Sequence, residues 1–379
     1  VTGAGFRLSN KKNTFLLEGT GALSERSNAS DEENIFEAKP GYKYMLKASK
    51  NGGFAQYGIS RSEVNEEFNA SDLGYFIIPG YTQYSGFASI QQYKKWRFIR
   101  ESFHDINSYV TTNYTTGDIR QAEFSFNSFF NLLSFNAFFV GGGIAPLKMY
   151  DYQESRTDGR KFRSMRYFYH YYGISTDYRK KVAVDIQYTN SGMLNEFTHD
   201  PYHDANIAFR FRINNHLFIK TYNAYIVDLA SVGFAYADEN DKSVLGLRRL
   251  ETYENSVNIS YIFKNDMLLT VTGRHYWSTG NYNRYFDLDE DGELQELNFI
   301  NNENNFSSNF FNIDVVYEWR FAPGSFLNLV YKNAIETDGQ LLETRFNKNL
   351  QDVINSPQNN IFSIKVLYFL DYIRLRKRN

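Results

Sequence analysis

The most constraining feature of this sequence is an alternation of apolar and polar residues with a period of two, repeated from one end of the chain to the other. In residues 182–189, one side of an extended chain carries Val, Val, Ile and Tyr, and the other carries Ala, Asp, Gln and Thr. Segments 207–213, 311–321 and 362–372 alternate in the same way. A helix would spread the charged residues over all its sides, so the pattern predicts β-strands.

Soluble β-sandwiches also alternate, so composition is needed to choose the fold class. The mean hydropathy of −0.51 and the lack of any apolar run near ~18 residues exclude a helical membrane protein. The chain nevertheless has 30 Tyr and 34 Phe, and aromatic residues gather on the apolar side near strand ends, as membrane-interface girdles require. We interpret the following as girdle residues: Tyr42, Tyr44, Trp96, Tyr317, Trp319, Tyr368 and Tyr372.

The connections alternate between two lengths. Short turns such as 51–53 and 323–324 lie between long polar segments such as 104–118 and 278–307. Tight turns on one side and long loops on the other are typical of outer-membrane barrels. The sequence therefore predicts an all-β fold, a transmembrane antiparallel β-barrel with about 17 visible strands; a soluble sandwich or propeller is the alternative.

The first countable strand, near residues 3–8, runs into a short turn and must descend from the long-loop side. A free N-terminus is unexpected there, so we expect at least one further upstream strand and a full barrel of about 18 strands or more. Residues 1–379 are expected to form a single barrel domain in the outer membrane of a Gram-negative bacterium.

Several classes of function are disfavoured by composition and motifs. The absence of Cys excludes a disulfide scaffold, a thiolate zinc site and a cysteine nucleophile. A net charge of −2 gives no basic footprint for nucleic acid. Neither G-x-S-x-G nor His-Glu-x-x-His occurs, and His275 points away from the strand face that Arg274 and Tyr276 share, so we predict no enzyme. We interpret Gly141, Gly142 and Gly143 as a flexible stretch of chain at the point where a strand leaves the membrane.

Two loops carry candidate metal ligands. Asp287, Asp289 and Asp291, followed by Gly292, resemble the first half of a calcium loop spanning 287–298. The twelfth position is Asn rather than the bidentate Glu, and the alternative is a solvated acidic hairpin tip. His199 and His203 flank a proline in another loop and form a weaker candidate for a metal site; such loops are usually only hydrated. No other cofactor is expected.

The polar side of the strands is predicted to line the lumen. It mixes both signs of charge, which is compatible with a hydrated, weakly selective lumen and equally with one closed by internal salt bridges and folded-in loops. The residues we place there are Arg97, Glu123, Asp185, Arg210, Arg212, Asp314, Glu318, Arg320 and Lys365.

The C-terminal two thirds of the chain resembles a family of outer-membrane proteins from Bacteroidota. The resemblance rests on 274–278, 285–288, 291–292, 246–249 and the closing segment 363–372. Upstream, 124–127 and 139–143 also look like family segments, so the match spans about residues 120–379. Members of that family join an N-terminal module similar to carbohydrate-binding family 9 to a C-terminal barrel of uncharacterised function. The resemblance implies an outer-membrane location and a preceding soluble domain, and it supplies no catalytic residues.

Two functions remain open at this point. The first is an anchor, scaffold or binding component at the cell surface, whose long loops contact other outer-membrane or periplasmic proteins or glycans. The alternative is a porin-like channel for passive or weakly selective diffusion, since about 16–18 strands leave room for an aqueous passage.

Overall fold

The computed structural model describes residues 1–29, 36–71, 74, 78–157, 159–239, 242–299, 302–339 and 345–370. Within these residues the alternating segments form strands, and one helix, α1, spans Phe346–Ile354. The strands are β1 Thr2–Ser9, β2 Phe15–Ala29, β3 Phe36–Lys50, β4 Ala55–Val64, β5 Tyr81–Gln92, β6 Ile99–Asn113, β7 Ile119–Leu132, β8 Ala137–Ala145, β9 Met149–Asp151, β10 Phe162–Ser164, β11 Tyr167–Ser175, β12 Val182–Met193, β13 Tyr202–Arg212, β14 Leu217–Ala237, β15 Ser243–Lys264, β16 Met267–Leu288, β17 Leu294–Leu297, β18 Phe306–Ala322, β19 Ser325–Gly339 and β20 Asn359–Leu367.

One antiparallel sheet of 18 strands forms the body of the protein, which confirms the predicted all-β barrel class. Each strand pairs with the next wall strand in chain order, so the sheet is a simple meander. β17 pairs only with the far end of β16, which leaves 17 strands for the wall. β9 and β10 form a separate small hairpin between β8 and β11.

The two edges of the meander are β1 and β20. Every residue of both strands is exposed, and no pairing joins the two strands among the described residues. Counted over the described part of the chain, the wall has an odd number of strands, so these two edges run in the same direction and do not match as an antiparallel pair. The expected further strand stays a prediction.

The register separates two chemically different faces. One row across β1–β7 is mostly polar: Arg7, Glu18, Lys47, Ser60, Ser85, Tyr109 and Glu123. The adjacent row, one residue along, is mostly apolar: Leu8, Leu17, Ala48, Ile59, Gly86, Ser108 and Phe124. Large apolar side chains of the second row are exposed, Ile59 by 71% and Leu8 by 60%. Apolar side chains are stable against lipid and charged ones against water, so the apolar face points outward.

The outward face carries aromatic residues near both ends of the strands. At the long-loop end, the hydroxyl of Tyr42 donates to Glu63 (3.0 Å), and Glu63 also pairs with Arg61 (2.7 Å). At the short-turn end lie Tyr317 and Trp319. Such amphipathic side chains fit the level of lipid headgroups. Among the other predicted girdle residues, Tyr44 shares the face of Tyr42, Trp96 is exposed in a short turn, Tyr368 is exposed after β20, and Tyr372 lies outside the described residues.

Two predicted long loops are shorter in the structure. The segment predicted as 104–118 is mostly strand, because β6 continues to Asn113 and leaves only a tight turn before β7. Likewise β16 continues to Leu288, well into the segment predicted as 278–307. Polar composition misled the prediction here, because a strand that extends beyond the bilayer meets water and no longer needs an apolar side. Among the described residues, no helix has the length and apolar character required to cross a membrane.

Candidate functional site: the lumen and its mouth

The polar face holds charged residues of both signs that pair between neighbouring strands. Lys47 contacts Glu18 (3.4 Å), and Arg210 contacts Asp185 (3.3 Å). On the far side of the sheet, Arg274 lies 2.7 Å from Asp314. Such partly exposed pairs contribute little to stability, typically ~0.2–1 kcal/mol each. Their effect is to keep charge on the wall, which favours a hydrated lumen.

The register shows where the residues predicted to line the lumen lie. Seven of them share the polar face: Glu123, Asp185, Arg210, Arg212, Asp314, Glu318 and Lys365. Arg320 lies beside the β18–β19 turn, where the register shifts. The prediction for Arg97 is corrected: it lies in the turn before β6 with a positive φ of 52°, and its guanidinium stands over Trp96. The alternating pattern was wrongly continued from β6, which begins at Ile99, into the preceding turn.

A row of tyrosines follows the lumen face of β11. The ring centroids of Tyr167 and Tyr169 are 6.3 Å apart, and those of Tyr169 and Tyr171 are 6.4 Å apart with planes only 12° from parallel. We call Tyr167, Tyr169 and Tyr171 the tyrosine ladder. Their hydroxyls reach across β8 to β7: Tyr169 donates to Glu123 (2.8 Å), and Tyr171 donates to Asn127 (3.1 Å). Tyr167 donates to the other oxygen of Glu123 (3.2 Å).

Glycines in the intervening strand make room for these rings. A Cβ on Gly143 would lie 2.6 Å from the ring of Tyr169, and a Cβ on Gly141 would lie 2.3 Å from the ring of Tyr171. The interpretation of 141–143 as a flexible exit from the membrane is therefore wrong. These residues are paired on both sides within β8, and an aromatic ring from the neighbouring strand covers the missing side chain.

Gly143→Ala tests this packing. We expect the added methyl group to push the ring of Tyr169 away from Glu123 and to lower the stability of the detergent-solubilised barrel by about 1–3 kcal/mol, the usual cost of overpacking. Gly273→Ala is the matched control, because nothing lies within 4 Å of a Cβ at that position of β16. Thermal unfolding of both variants gives the comparison, and equal stabilities would contradict the role assigned to Gly143.

Residues 146–166, between β8 and β11, form what we call the mouth segment. On one side, Asp118 of the β6–β7 turn accepts hydrogen bonds from Tyr152 (2.5 Å) and Lys161 (3.0 Å). On the other side, Arg163 contacts Glu293, next to β17 (2.5 Å). These anchors belong to strands that are many places apart in the meander, so the segment crosses the concave side of the sheet at its long-loop end.

Buried contacts fix the mouth segment to the far wall. Phe162 packs with Leu245 and Leu288, and all three side chains are buried. Ser155 is also fully buried, and its carbonyl accepts a hydrogen bond from Ser243. Between the segment and the near wall remains a cavity of about 580 Å³, lined by Gln83, Thr111, Gln121 and Tyr152 among others. The mouth is therefore narrowed rather than filled.

Glu196, in the β12–β13 loop, holds the most buried charge of this region. Its side chain is only 2% exposed and accepts hydrogen bonds from Arg163 (3.0 Å) and Arg166 (2.9 Å). Burial alone would raise the pKa of this carboxyl, but the bonds from Arg163 and Arg166 outweigh burial, and the pKa is lowered. The pKa of Asp118 is also lowered, mainly by the hydrogen bond from Tyr152 and in spite of burial, with Lys161 adding to the effect.

These shifts predict how the mouth responds to pH. Since both carboxyls have depressed pKa values, their ionised forms contribute stability above the ordinary carboxyl range, and this contribution is lost as the pH falls through the depressed values. The mouth segment should therefore stay anchored from neutral pH down to about pH 4 and loosen only below that. The single-channel conductance in planar bilayers should be independent of pH from neutral pH down to about pH 4, and it should rise below about pH 4. A rise near pH 6 would contradict the assignment.

The acidic turn 287–298 lies against the mouth segment. The carboxylate of Asp289 accepts the backbone N–H groups of Asp291 (3.0 Å) and Glu293 (2.8 Å), while Asp287 accepts the N–H of its own neighbour. Among the described residues, no group of three or more His, Asp or Glu side chains is arranged to hold a metal ion. The geometry is that of a hairpin turn between β16 and β17, and calcium binding stays a prediction.

His199 and His203 are not brought together. His199 is exposed in the loop before β13. His203 is in β13 on the outward face, where its Nδ1 lies 2.6 Å from the hydroxyl of Tyr188 and 3.2 Å from the amide of Asn190. His203 therefore belongs to a paired strand rather than to a loop. Its position on the outward face beside Tyr188 indicates that it is part of the aromatic girdle.

The structure also separates Arg274 from His275. Arg274 points into the lumen, while His275 is buried on the outward face, where Phe346 of α1 packs against it and against Trp277. The two side chains do not converge, as strand parity predicts.

Sequence reasoning missed the tyrosine ladder and the mouth segment. The ladder has a signal, since Tyr at 167, 169 and 171 and Gly at 141 and 143 both repeat with period two. Segments 141–143 and 167–171 lie on neighbouring strands. This can be inferred from the sequence only if residues 146–166 are already known to connect β8 to β11 without adding a strand to the wall. The mouth segment itself has no local signal.

Comparison with known proteins adds the following. A family model described as a domain of unknown function, DUF5916, matches residues 1–379. The crystal structure of the siderophore receptor PirA from Acinetobacter baumannii is similar over 96% of this chain and 70% of that chain, at 10% identity and a TM-score of 0.44. An anion-selective porin from Comamonas acidovorans is similar over 89% of this chain and 90% of that chain, at 11% identity and a TM-score of 0.34. No curated protein matches the chain. At these identities and TM-scores, neither structure bears on what this protein binds.

Proposed function

We propose that this chain, which belongs to the family of DUF5916 domains, is an integral β-barrel of the Gram-negative outer membrane whose lumen admits small polar solutes through a mouth narrowed by residues 146–166. The observation that carries the proposal is the chemical division of the sheet. One face exposes apolar residues such as Ile59 and Leu8, and the other carries ion pairs such as Arg274–Asp314. A wall that is apolar outside and charged inside suits a lipid exterior and a hydrated interior.

The lumen charges also suggest the selectivity of the passage. Positive and negative side chains alternate between neighbouring strands, as in the pairs Lys47–Glu18 and Arg210–Asp185. A strongly selective pore requires one dominant sign at its constriction. We therefore expect weak ion selectivity, with access limited mainly by the mouth segment.

A second candidate is an anchor or scaffold that presents its long-loop end to a partner protein or glycan. The observation that favours it is the length of three adjacent strands: β14 has 21 residues, and β15 and β16 have 22 each. A bilayer needs only about 9–11 residues per strand. The extra length, with buried residues such as Tyr285 and Leu247, forms a packed platform beyond the membrane.

Single-channel conductance of the purified barrel in a planar bilayer tests the proposal. Steady conductance that persists when the voltage is changed, with similar permeabilities for small cations and anions, is the expected result. Folding is checked on the same preparation by heat-modifiable migration in gels. A folded barrel that stays silent would contradict the channel and favour the scaffold, and proteins crosslinked to the β14–β16 platform would then be identified.

A further inference from the structure

The tyrosine ladder has the arrangement of a binding surface rather than of simple wall packing. Its three side chains are only half-buried, although they lie on a wall that faces the lumen. The rings repeat at 6.3 and 6.4 Å along the strand, and Gly143 and Gly141 let the rings of Tyr169 and Tyr171 lie against the neighbouring strand. A continuous strip of aromatic surface in a charged lumen offers dispersion contacts that water cannot match.

Polar groups border the ladder on both sides. On the β7 side are the carboxylate of Glu123 and the amide of Asn127, which already accept the tyrosine hydroxyls. On the β12 side, the register places Thr189 opposite Tyr171 and Ser191 opposite Tyr169. The surface therefore has an apolar centre with hydrogen-bonding groups along two edges.

The orientation of the rings indicates which ligand such a surface fits. An organic cation is bound best by rings that surround one point, as in aromatic cages. Here the planes of Tyr169 and Tyr171 are 12° from parallel, those of Tyr167 and Tyr169 are 33° apart, and the three rings follow one another along the strand. A line of rings fits an extended ligand with repeated apolar faces and polar rims, and a chain of pyranose rings has that form, with C–H groups on its faces and hydroxyls around its edge.

We infer that the lumen holds a binding site for a linear oligosaccharide, with Tyr167, Tyr169 and Tyr171 as the stacking surface and Glu123 as a hydrogen-bond acceptor at its rim. The inference rests on the proposed function, because a sugar reaches the ladder only through an accessible lumen. The cavity beneath the mouth segment lies close to the ladder, because Gln121, which lines that cavity, is two residues from Glu123 on the same face of β7.

Block of the single-channel current by maltohexaose and cellohexaose tests the site. We expect reversible, concentration-dependent block of the unmodified barrel, at least tenfold weaker in Tyr169→Ala and only slightly weaker in Tyr169→Phe, which keeps the ring. Tyr172→Ala is the matched control, because that residue is exposed on the outward face of β11 and should leave block unchanged. Heat-modifiable migration verifies that each variant is folded.

Isothermal titration of the detergent-solubilised barrel with the same sugars separates this inference from the proposed function. Binding without conductance would support the sugar site and contradict the channel. Conductance without binding or block would overturn the sugar site and leave the channel intact. Block by choline but by neither sugar, abolished in Tyr169→Ala, would also overturn it, because the rings would then recognise a cation.

Discussion

We expect Ile186→Arg to prevent the barrel from assembling in the membrane. Ile186 is 43% exposed and stands in a row with Ile174 and Ile207 on the outward face of β11–β13. An Arg facing lipid near the midplane costs ~2–4 kcal/mol, a large part of the stability of an ordinary protein. The expected result is loss of the heat-modifiable folded form from outer-membrane fractions.

Gln187→Arg is the matched control for this substitution. Gln187 is the next residue of the same strand, and its register partners are Gly173 and Asn206 on the lumen face. The same charge placed there meets water and lies near Asp185, so assembly should proceed at the level of the unmodified protein. If both variants assembled equally well, the assignment of the two faces would be wrong.

We expect Arg163→Ala to widen the mouth of the lumen. Its guanidinium is the single group that contacts both Glu196 and Glu293 among the described residues, and its side chain is only 16% exposed. Without Arg163, Glu196 keeps Arg166 (2.9 Å) and Glu293 keeps Lys148 (3.4 Å), so we expect a cost below the ~3–5 kcal/mol of a buried charge that loses its whole compensation. We expect residues 163–166 to move away from Glu196 and Glu293, while the buried contacts of Phe162 and Ser155 still hold the rest of the mouth segment. The single-channel conductance should then rise, and the barrel itself should stay folded.

An exposed ion pair in the same region provides the control. Arg284 contacts Glu296 at 2.5 Å, but their side chains are 34% and 47% exposed, and neither belongs to the mouth segment. Arg284→Ala should therefore change conductance little. An unchanged conductance in Arg163→Ala would show that the segment does not limit the passage.

The fold class could be predicted from the sequence because the signal is local. In residues such as Val184, Asp185 and Ile186, the side of the strand follows from position alone, since successive side chains point to opposite faces. The same parity gave most of the residues placed on the lumen face, and it failed at Arg97, where the strand had not yet begun. Strand ends were less accurate, because beyond the bilayer the outward face no longer has to be apolar.

The sequence by itself determined the two faces of the wall, since a period of two and the contrast between lipid and water decide the side of every strand residue. Only the tertiary structure decided which residues of neighbouring strands lie opposite each other. This register places Tyr169 over Gly143 and brings its hydroxyl to Glu123, two strands away. The tertiary structure also decided that residues 146–166 cross the mouth to bind Glu196 and Glu293. These contacts join residues that are far apart in the chain, and their geometry depends on the curvature of the whole sheet, which no local pattern encodes.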